Sequence, residues 1–261
     1  MEFDYDNIDE WAPVITQLLK DLLPANIAEI VRDAYPKYVE DARDLVLEHG
    51  DRNAIALVIL GWLKSSTVAA YHGTRVTEEE AASIGREGFR PLKIADRRKR
   101  LERALSGHPE WEKAARRFDD VVTKFVNGYA GRREGQVHFT LSRAGLAGFD
   151  HYITHGAEVD QHMARELIGN DGLHLLENDG TRTVYKIGVP GDVAIQATHP
   201  FFSPEDMMDR GDLPNMVGEI LNAWAFRLSR PGYQSRSLEI DCGLIFYKPV
   251  PPEYIISKEQ L

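Results

Sequence analysis

Apolar residues recur at three- and four-residue steps through the first third of the chain, and the rhythm stops near residue 66. Ile8, Trp11, Ile15, Leu18, Leu19 and Leu22 form one stripe, followed by Ile27, Ile30 and Val31 and then by Ala42, Leu45 and Val46. This spacing predicts amphipathic helices. Pro24 and the Gly50-Asp51 pair separate them, and Asp51 is placed to cap a helix running to Leu63. The apolar run from Ala54 to Leu63 is about half of the roughly twenty residues a membrane span needs, so it reads as a buried helix.

From Thr67 the texture changes. Thr67 to Tyr71 reads as a strand entering His72-Gly73-Thr74-Arg75, and a helix over Glu78 to Glu87 follows, capped by Thr77 and closed by Gly88. A long polar helical insert occupies residues 93–127. Gln136 to Leu141, Arg182 to Val189 and Glu239 to Tyr247 read as further strands, Pro190-Gly191-Asp192 as a turn, and Met216 to Leu228 as an amphipathic helix. These elements predict an α+β fold: a helical subdomain over 1–66, then a mainly antiparallel sheet domain over 67–261.

Composition narrows the function classes. Of 261 residues, 31 are Lys or Arg and 41 are Asp or Glu, a net charge of -10 that disfavours nonspecific wrapping of polyanions. The single cysteine, Cys242, has no internal disulfide partner, and the amino terminus is acidic where a signal peptide is basic and then apolar. The expectation is a cytoplasmic protein without a membrane segment.

Tyr71-His72-Gly73-Thr74 places an imidazole, a residue without a side chain and a hydroxyl where a strand meets a turn. Glycine there would let a flat amide-bearing ring lie against the backbone. Val137-His138-Phe139-Thr140-Leu141-Ser142 alternates as a strand and precedes Phe149 and Tyr152. Glu239 and Asp241, two apart on a strand, would aim two carboxylates at one side.

In these three segments, with Ile84-Gly-Arg-Glu-Gly88-Phe89 after the first, the chain resembles the ADP-ribosyltransferase superfamily over residues 68–257. The resemblance implies a split-sheet NAD-binding domain and transfer of ADP-ribose from NAD to a macromolecule. It implies that His72 bonds the nicotinamide ribose and that the Gly73 backbone holds the carboxamide. Phe149 or Tyr152 would stack on the nicotinamide, and Thr140 and Ser142 would brace the site. Thr74, Arg75 and Phe139 complete the expected cofactor-binding set, and Glu239 or Asp241 would steady the cationic ribose. His138 departs from the polymerase-like branch, which has Tyr there, and is similar to the NAD-using tRNA 2′-phosphotransferase branch. That branch is the alternative activity, although its basic Leu-Arg-His segment is absent from residues 1–70 and Thr154 stands where it has Arg. A binding module for NAD or ADP-ribose that lacks catalysis is the third reading. The small format resembles toxin and phage-defence effectors.

Arg97-Arg98-Lys99-Arg100-Leu101-Glu102-Arg103 puts five cations against one anion in seven residues. Arg97, Arg98, Lys99 and Arg100 are the expected acceptor-binding residues, with Arg132 and Arg133 as an extension. They favour RNA or DNA as acceptor, with protein as competitor. The amino-terminal stripes are a candidate surface for a neutralising, antitoxin-like protein. His151, His155 and His162, with Glu158 between them, would share a face of one continuous helix. Gly156 interrupts that helix, so no metal is expected.

Overall fold

A computed structural model describes residues 1–128, 133–148, 150–198, 201–235 and 243–261. The fold is α+β, mostly helical with one mainly antiparallel sheet. Its strands are β1 (Glu2–Phe3), β2 (Thr67–Val76), β3 (Val137–Thr140), β4 (Thr181–Pro190), β5 (Gly243–Phe246) and β6 (Ile255–Gln260). The order is β5-β3-β2-β4-β6, with β1 added to β2 in parallel through Glu2 opposite Thr67 and Phe3 opposite Val68. β6 lies antiparallel to β4, Val184 opposite Glu259 and Lys186 opposite Ser257. Neither β1 nor β6 is legible in the sequence: two residues are too few to show alternation, and β6 is exposed along most of its length, so it lacks an apolar period.

The chain forms two compact units that interleave in sequence. Unit 1 comprises Met1–Ala70, Phe139–Gly145 and Gly188–Ile245; unit 2 comprises Tyr71–His138, Leu146–Ile187 and Phe246–Leu261. The helices of 1–66 therefore do not stand apart as a segment of their own.

In unit 1 the expected helices form over Ile8–Leu19, Ile27–Ala34, Val39–Glu48 and Arg52–Lys64. Asp51 caps the last of them, its Oδ1 accepting from Ala54 N at 2.9 Å. The helix over Asn215–Ser229 packs against Ile27–Ala34 and Val39–Glu48, which explains the grouping: early and late helices share one core. Trp11, Ile15, Ile59 and Trp224 are buried in this unit, each removal from water contributing about 1.5–3 kcal/mol. The Pro190-Gly191-Asp192 turn is the entrance to a helix over Gly191–Ala197.

In unit 2 the helical insert is built of short helices over Arg97–Leu105, Trp111–Ala115 and Phe118–Val126. Their inner faces are apolar: Leu101, Leu105, Phe118 and Val121 bury against Val159, Met163, Leu167 and Leu176, with Trp111 packed at the edge. Those partners belong to helices over Glu158–Ile168 and Asn170–Glu177. The helix over Glu78–Glu87 carries a full capping box, Thr77 Oγ1 accepting from Glu80 N at 3.2 Å and Glu80 Oε2 accepting from Thr77 N at 2.9 Å. Gly88 ends it at φ 74°, where a Cβ would lie 1.9 Å from the Val250 carbonyl oxygen. That approach lets Phe89 and Val250 exchange backbone hydrogen bonds of 2.9 and 2.8 Å. Among the described residues no helix is long and apolar enough to cross a membrane.

Candidate functional site

Within unit 2, β2 delivers His72 to a polar cluster. Its Nδ1 lies 2.7 Å from the backbone carbonyl oxygen of His138. A carbonyl can only accept, so Nδ1 carries the proton and Nε2 of the neutral ring carries the lone pair. The Phe89 ring meets the imidazole edge-on at 5.1 Å and itself meets Tyr185 at 5.1 Å. Burial lowers the His72 pKa, against the opposing pull of the His138 carbonyl, so the ring is neutral at pH 7.

His138 is held as firmly. Its Nε2 lies 2.8 Å from Gln136 Oε1, and Gln136 Nε2 donates to the Tyr247 hydroxyl at 3.4 Å. The Arg133 guanidinium sits 3.4 Å from each ring nitrogen of His138. Burial, then the positive charge of Arg133, then His72 push the His138 pKa down to about 4, with Glu158 pulling the other way. His138 is therefore a neutral dipole at physiological pH.

Behind Arg133 stands Glu158, in the first turn of the Glu158–Ile168 helix. Its Oε2 is 3.9 Å from Arg133 Nε and 3.5 Å from the Tyr152 hydroxyl, and its Oε1 is 3.5 Å from His162 Nε2. One carboxylate, one guanidinium, two phenols and three imidazoles thus gather in unit 2. In the sequence, Glu158 and Arg133 are legible only as a spacing between histidines and as an appendage to a charge run. No local period links residues 133, 138, 158 and 247.

Other expected site residues have different roles. Gly73 has no room for a flat ligand on the side a side chain would occupy, since a Cβ there would be 2.8 Å from Ile153 Cγ1 and 3.3 Å from Leu146 Cδ2. The glycine lets Ile153 and Leu146 pack closely against the backbone on that side. Thr74 is half-buried on β2. Arg75 donates to the Thr154 carbonyl at 3.4 Å and its own carbonyl accepts from Arg100 at 2.7 Å, which makes it part of the scaffold. Phe139 points to the opposite face of β3 from His138 and is buried. Tyr152 lies with its ring 4.2 Å from that of His151.

Thr140 and Ser142 belong to unit 1. Ser142 is buried, and its hydroxyl donates to Asp6 Oδ1 at 2.5 Å while Asp6 Oδ2 accepts from Arg143 N at 2.8 Å. Ser142 N in turn donates to Thr140 Oγ1 at 3.3 Å. They brace the exit of β3. Phe149, Glu239, Asp241, Arg132 and Cys242 lie outside the described residues.

Much of the basic run is engaged in an ion-pair network, with Arg97 and Arg100 drawn inward and Arg98, Lys99 and Arg103 partly or fully exposed. Arg97 makes a two-pronged pair with the fully buried Asp160, its Nε donating to Oδ1 at 2.8 Å. Arg100 is buried; it reaches Glu80 at 3.0 Å and the Arg75 carbonyl at 2.7 Å, and its Nε is 3.2 Å from Asp160 at ion-pair distance without hydrogen-bond alignment. Arg103 holds Asp179 at 2.8 Å, and Arg98 holds Glu102 at 2.9 Å and Asp119 at 2.7 Å. Burial alone would raise the pKa of Glu80 and of Asp179, but the adjacent guanidiniums reverse this and both carboxyls lie below their usual range. Lys99 is exposed on the outer face of the same helix. The sequence signal misleads because a charge run carries no information about partners 20 to 80 residues away. The histidine set is divided as expected: one helix ends at His155, Gly156 follows at φ 88°, and His162 lies on the next.

No protein-family model, no curated protein and no solved structure matches the chain.

Proposed function

We propose that the protein is an NAD-dependent ADP-ribosyltransferase that moves ADP-ribose onto a macromolecule. The observation that carries this reading is the fixed, neutral His72: its Nδ1–H is committed to the His138 carbonyl, which sets Nε2 as an acceptor for a ribose hydroxyl. NAD is the co-substrate. The bond between ribose C1′ and the nicotinamide nitrogen breaks, nicotinamide leaves with the electron pair, and an acceptor oxygen or nitrogen bonds C1′ and gives up its proton to solvent.

The transition state places positive charge on the ribose, so a nearby carboxylate stabilises it more than the ground state. Glu158 is the carboxylate of the described cluster, and Tyr152 and Arg133 hold it. Glu239 and Asp241 remain candidates for the same role. Arg133 has a guanidinium fork suited to a phosphate oxygen of the dinucleotide. The charge run no longer favours nucleic acid over protein as acceptor, because Arg97 and Arg100 are spent internally.

Arg133 beside His138 also favours a second reading, removal of an RNA 2′-phosphate with NAD, since the same guanidinium would bind a phosphate dianion. The test is incubation of the full chain with labelled NAD, first in cell lysate and then with a 2′-phosphorylated oligonucleotide. Label retained on a macromolecule and sensitive to nuclease or protease supports transfer and names the acceptor. Release of ADP-ribose cyclic phosphate with a free 2′-hydroxyl supports the second reading. Absence of nicotinamide release under both conditions overturns both.

A further inference from the structure

Arg133 is held from one side only. Its side chain is 36% exposed, and among the described residues its guanidinium makes hydrogen bonds to the His138 ring alone; Glu158 Oε2 lies 3.9 Å from Nε, beyond hydrogen-bond reach. A long side chain of this kind gives up much rotamer freedom when a ligand fixes it, so whatever holds it beforehand strengthens binding.

Two neighbours choose the proton arrangement of the His138 ring. Its Nε2 lies 2.8 Å from Gln136 Oε1, and the Gln136 amide nitrogen is turned toward the Tyr247 hydroxyl at 3.4 Å. An amide oxygen only accepts, so Nε2 carries the proton and Nδ1 keeps the lone pair. Arg133 Nη1 stands 3.4 Å from that Nδ1, and a guanidinium only donates. The opposite tautomer would set an Nδ1–H against the cation, donor against donor. His138 therefore carries its proton on the other nitrogen from His72, whose Nδ1–H is committed to a carbonyl. With its pKa pushed down to about 4, the ring keeps this lone pair throughout the physiological range.

We infer that His138 is a positioning residue: its Nδ1 lone pair, kept free of a proton by Gln136, holds the Arg133 guanidinium so that the remaining donors meet a diphosphate. This deepens the ADP-ribosyl-transfer reading and rests on it, the diphosphate being the bridge of NAD. A guanidinium fork matches such oxygens through paired, charge-assisted bonds. His138 itself exchanges no proton with the substrate, and Gln136 and Tyr247 act through it.

The tautomer is read first, by two-bond proton–nitrogen NMR of the full chain without ligand, which is expected to show Nε2–H at His138 and Nδ1–H at His72. Calorimetric titration with ADP, which has the diphosphate and no nicotinamide to lose, then reads the grip of Arg133. His138→Leu is expected to weaken ADP binding about tenfold, the size of one charge-assisted hydrogen bond. His138→Asn, whose amide oxygen can stand where Nδ1 stood, is expected to recover most of that loss. Arg133→Leu should weaken binding at least as much, and adding His138→Leu to it should cost nothing further, because His138 acts through Arg133. The inference is overturned by an Nδ1–H tautomer at His138, by failure of the wild-type chain to bind millimolar ADP, or by equal affinity in wild type and His138→Leu. Lack of recovery in His138→Asn, or additive losses in the double variant, overturns it as well. The tautomer and the Arg133→Leu titration need no substitution at His138, so a variant there that fails to fold leaves both in force. Nicotinamide release from NAD is scored separately: its absence, with the ADP results as expected, rejects transfer and leaves a diphosphate-binding site.

Discussion

His72 donates its Nδ1–H to the backbone carbonyl of His138 across 2.7 Å, and this one bond sets which nitrogen of the His72 ring carries the proton. It fixes the tautomer of the first ring and ties that ring to the strand segment that carries the second. His72→Ala is expected to lower NAD-dependent nicotinamide release by about two orders of magnitude, the usual cost of losing one oriented group in such a site. His72→Asn, which keeps a donor near the carbonyl, should retain more of the rate. Measurement of kcat and KM for both variants checks the ordering.

The carboxylate of Glu158 is expected to act on turnover rather than on binding. Under the proposed ADP-ribosyl transfer, Glu158→Gln should lower kcat by about 10²-fold with a small change in KM for NAD, because the ribose charge it would neutralise develops only as the glycosidic bond breaks. An unchanged kcat would transfer the role to Glu239 or Asp241.

His138 makes stability depend on pH in a defined window. Its folded pKa is about 4, below the ordinary 6.5. Above pH 6.5 the ring is neutral in both folded and unfolded chains, and the group contributes no pH dependence. Between pH 6.5 and 4 the unfolded chain takes up a proton that the folded chain refuses, so stability falls as pH falls, and below 4 the loss levels off. Urea midpoints measured from pH 7 to pH 4 should show this slope, and His138→Gln should reduce it. The part that persists belongs to other groups, His72 among them, whose pKa is also lowered.

Asp160 and Arg98 should separate the structural charges from the decorative ones. Asp160→Ala strands Arg97 and Arg100 beside a vacated partner and is expected to cost about 3–5 kcal/mol. Arg98→Ala breaks only partly exposed pairs and is expected to cost less than about 1 kcal/mol. Chemical denaturation of the two variants reads the difference directly.

Two glycines three residues apart should respond with opposite signs. Gly88→Ala forces a side chain into a backbone conformation it rarely adopts and onto the Val250 carbonyl, and at least about 3 kcal/mol is expected to be lost. Gly85 lies in the exposed helix with open space at its Cβ position, so Gly85→Ala should stabilise by about 0.5–1 kcal/mol. Thermal unfolding of the pair checks both signs.

The local grammar of the chain is readable without the structure. The Thr77 capping box, the Asp51 cap, the Gly88 stop and the switch from helical to alternating rhythm at Thr67 are each set by neighbours within a few residues, and the structure carries all of them. What stays hidden depends on distant partners. The arginines from 97 to 103 look like a surface stripe until Glu80, Asp160 and Asp179 arrive from other parts of the chain. Gly73 reads as room for a ligand until Ile153 takes that room. Glu158 enters the site only because Arg133 and Tyr152 converge on it. The fold class is therefore legible and the candidate site only half so, since a motif points to His72 and His138 while nothing local points to Glu158.

The alternation of the two units along the chain also constrains how the gene can be dissected. Each unit is assembled from three stretches separated by stretches of the other, so no single cut yields a self-sufficient half. A polypeptide begun at residue 67 would discard the four helices that complete the core around Trp224, and one stopped before residue 246 would discard the strand paired with β4. Deletion series would report collapse whatever the deleted piece does. Point substitutions in the intact polypeptide are the informative route, because neither unit is a continuous stretch that a simple fusion could exchange.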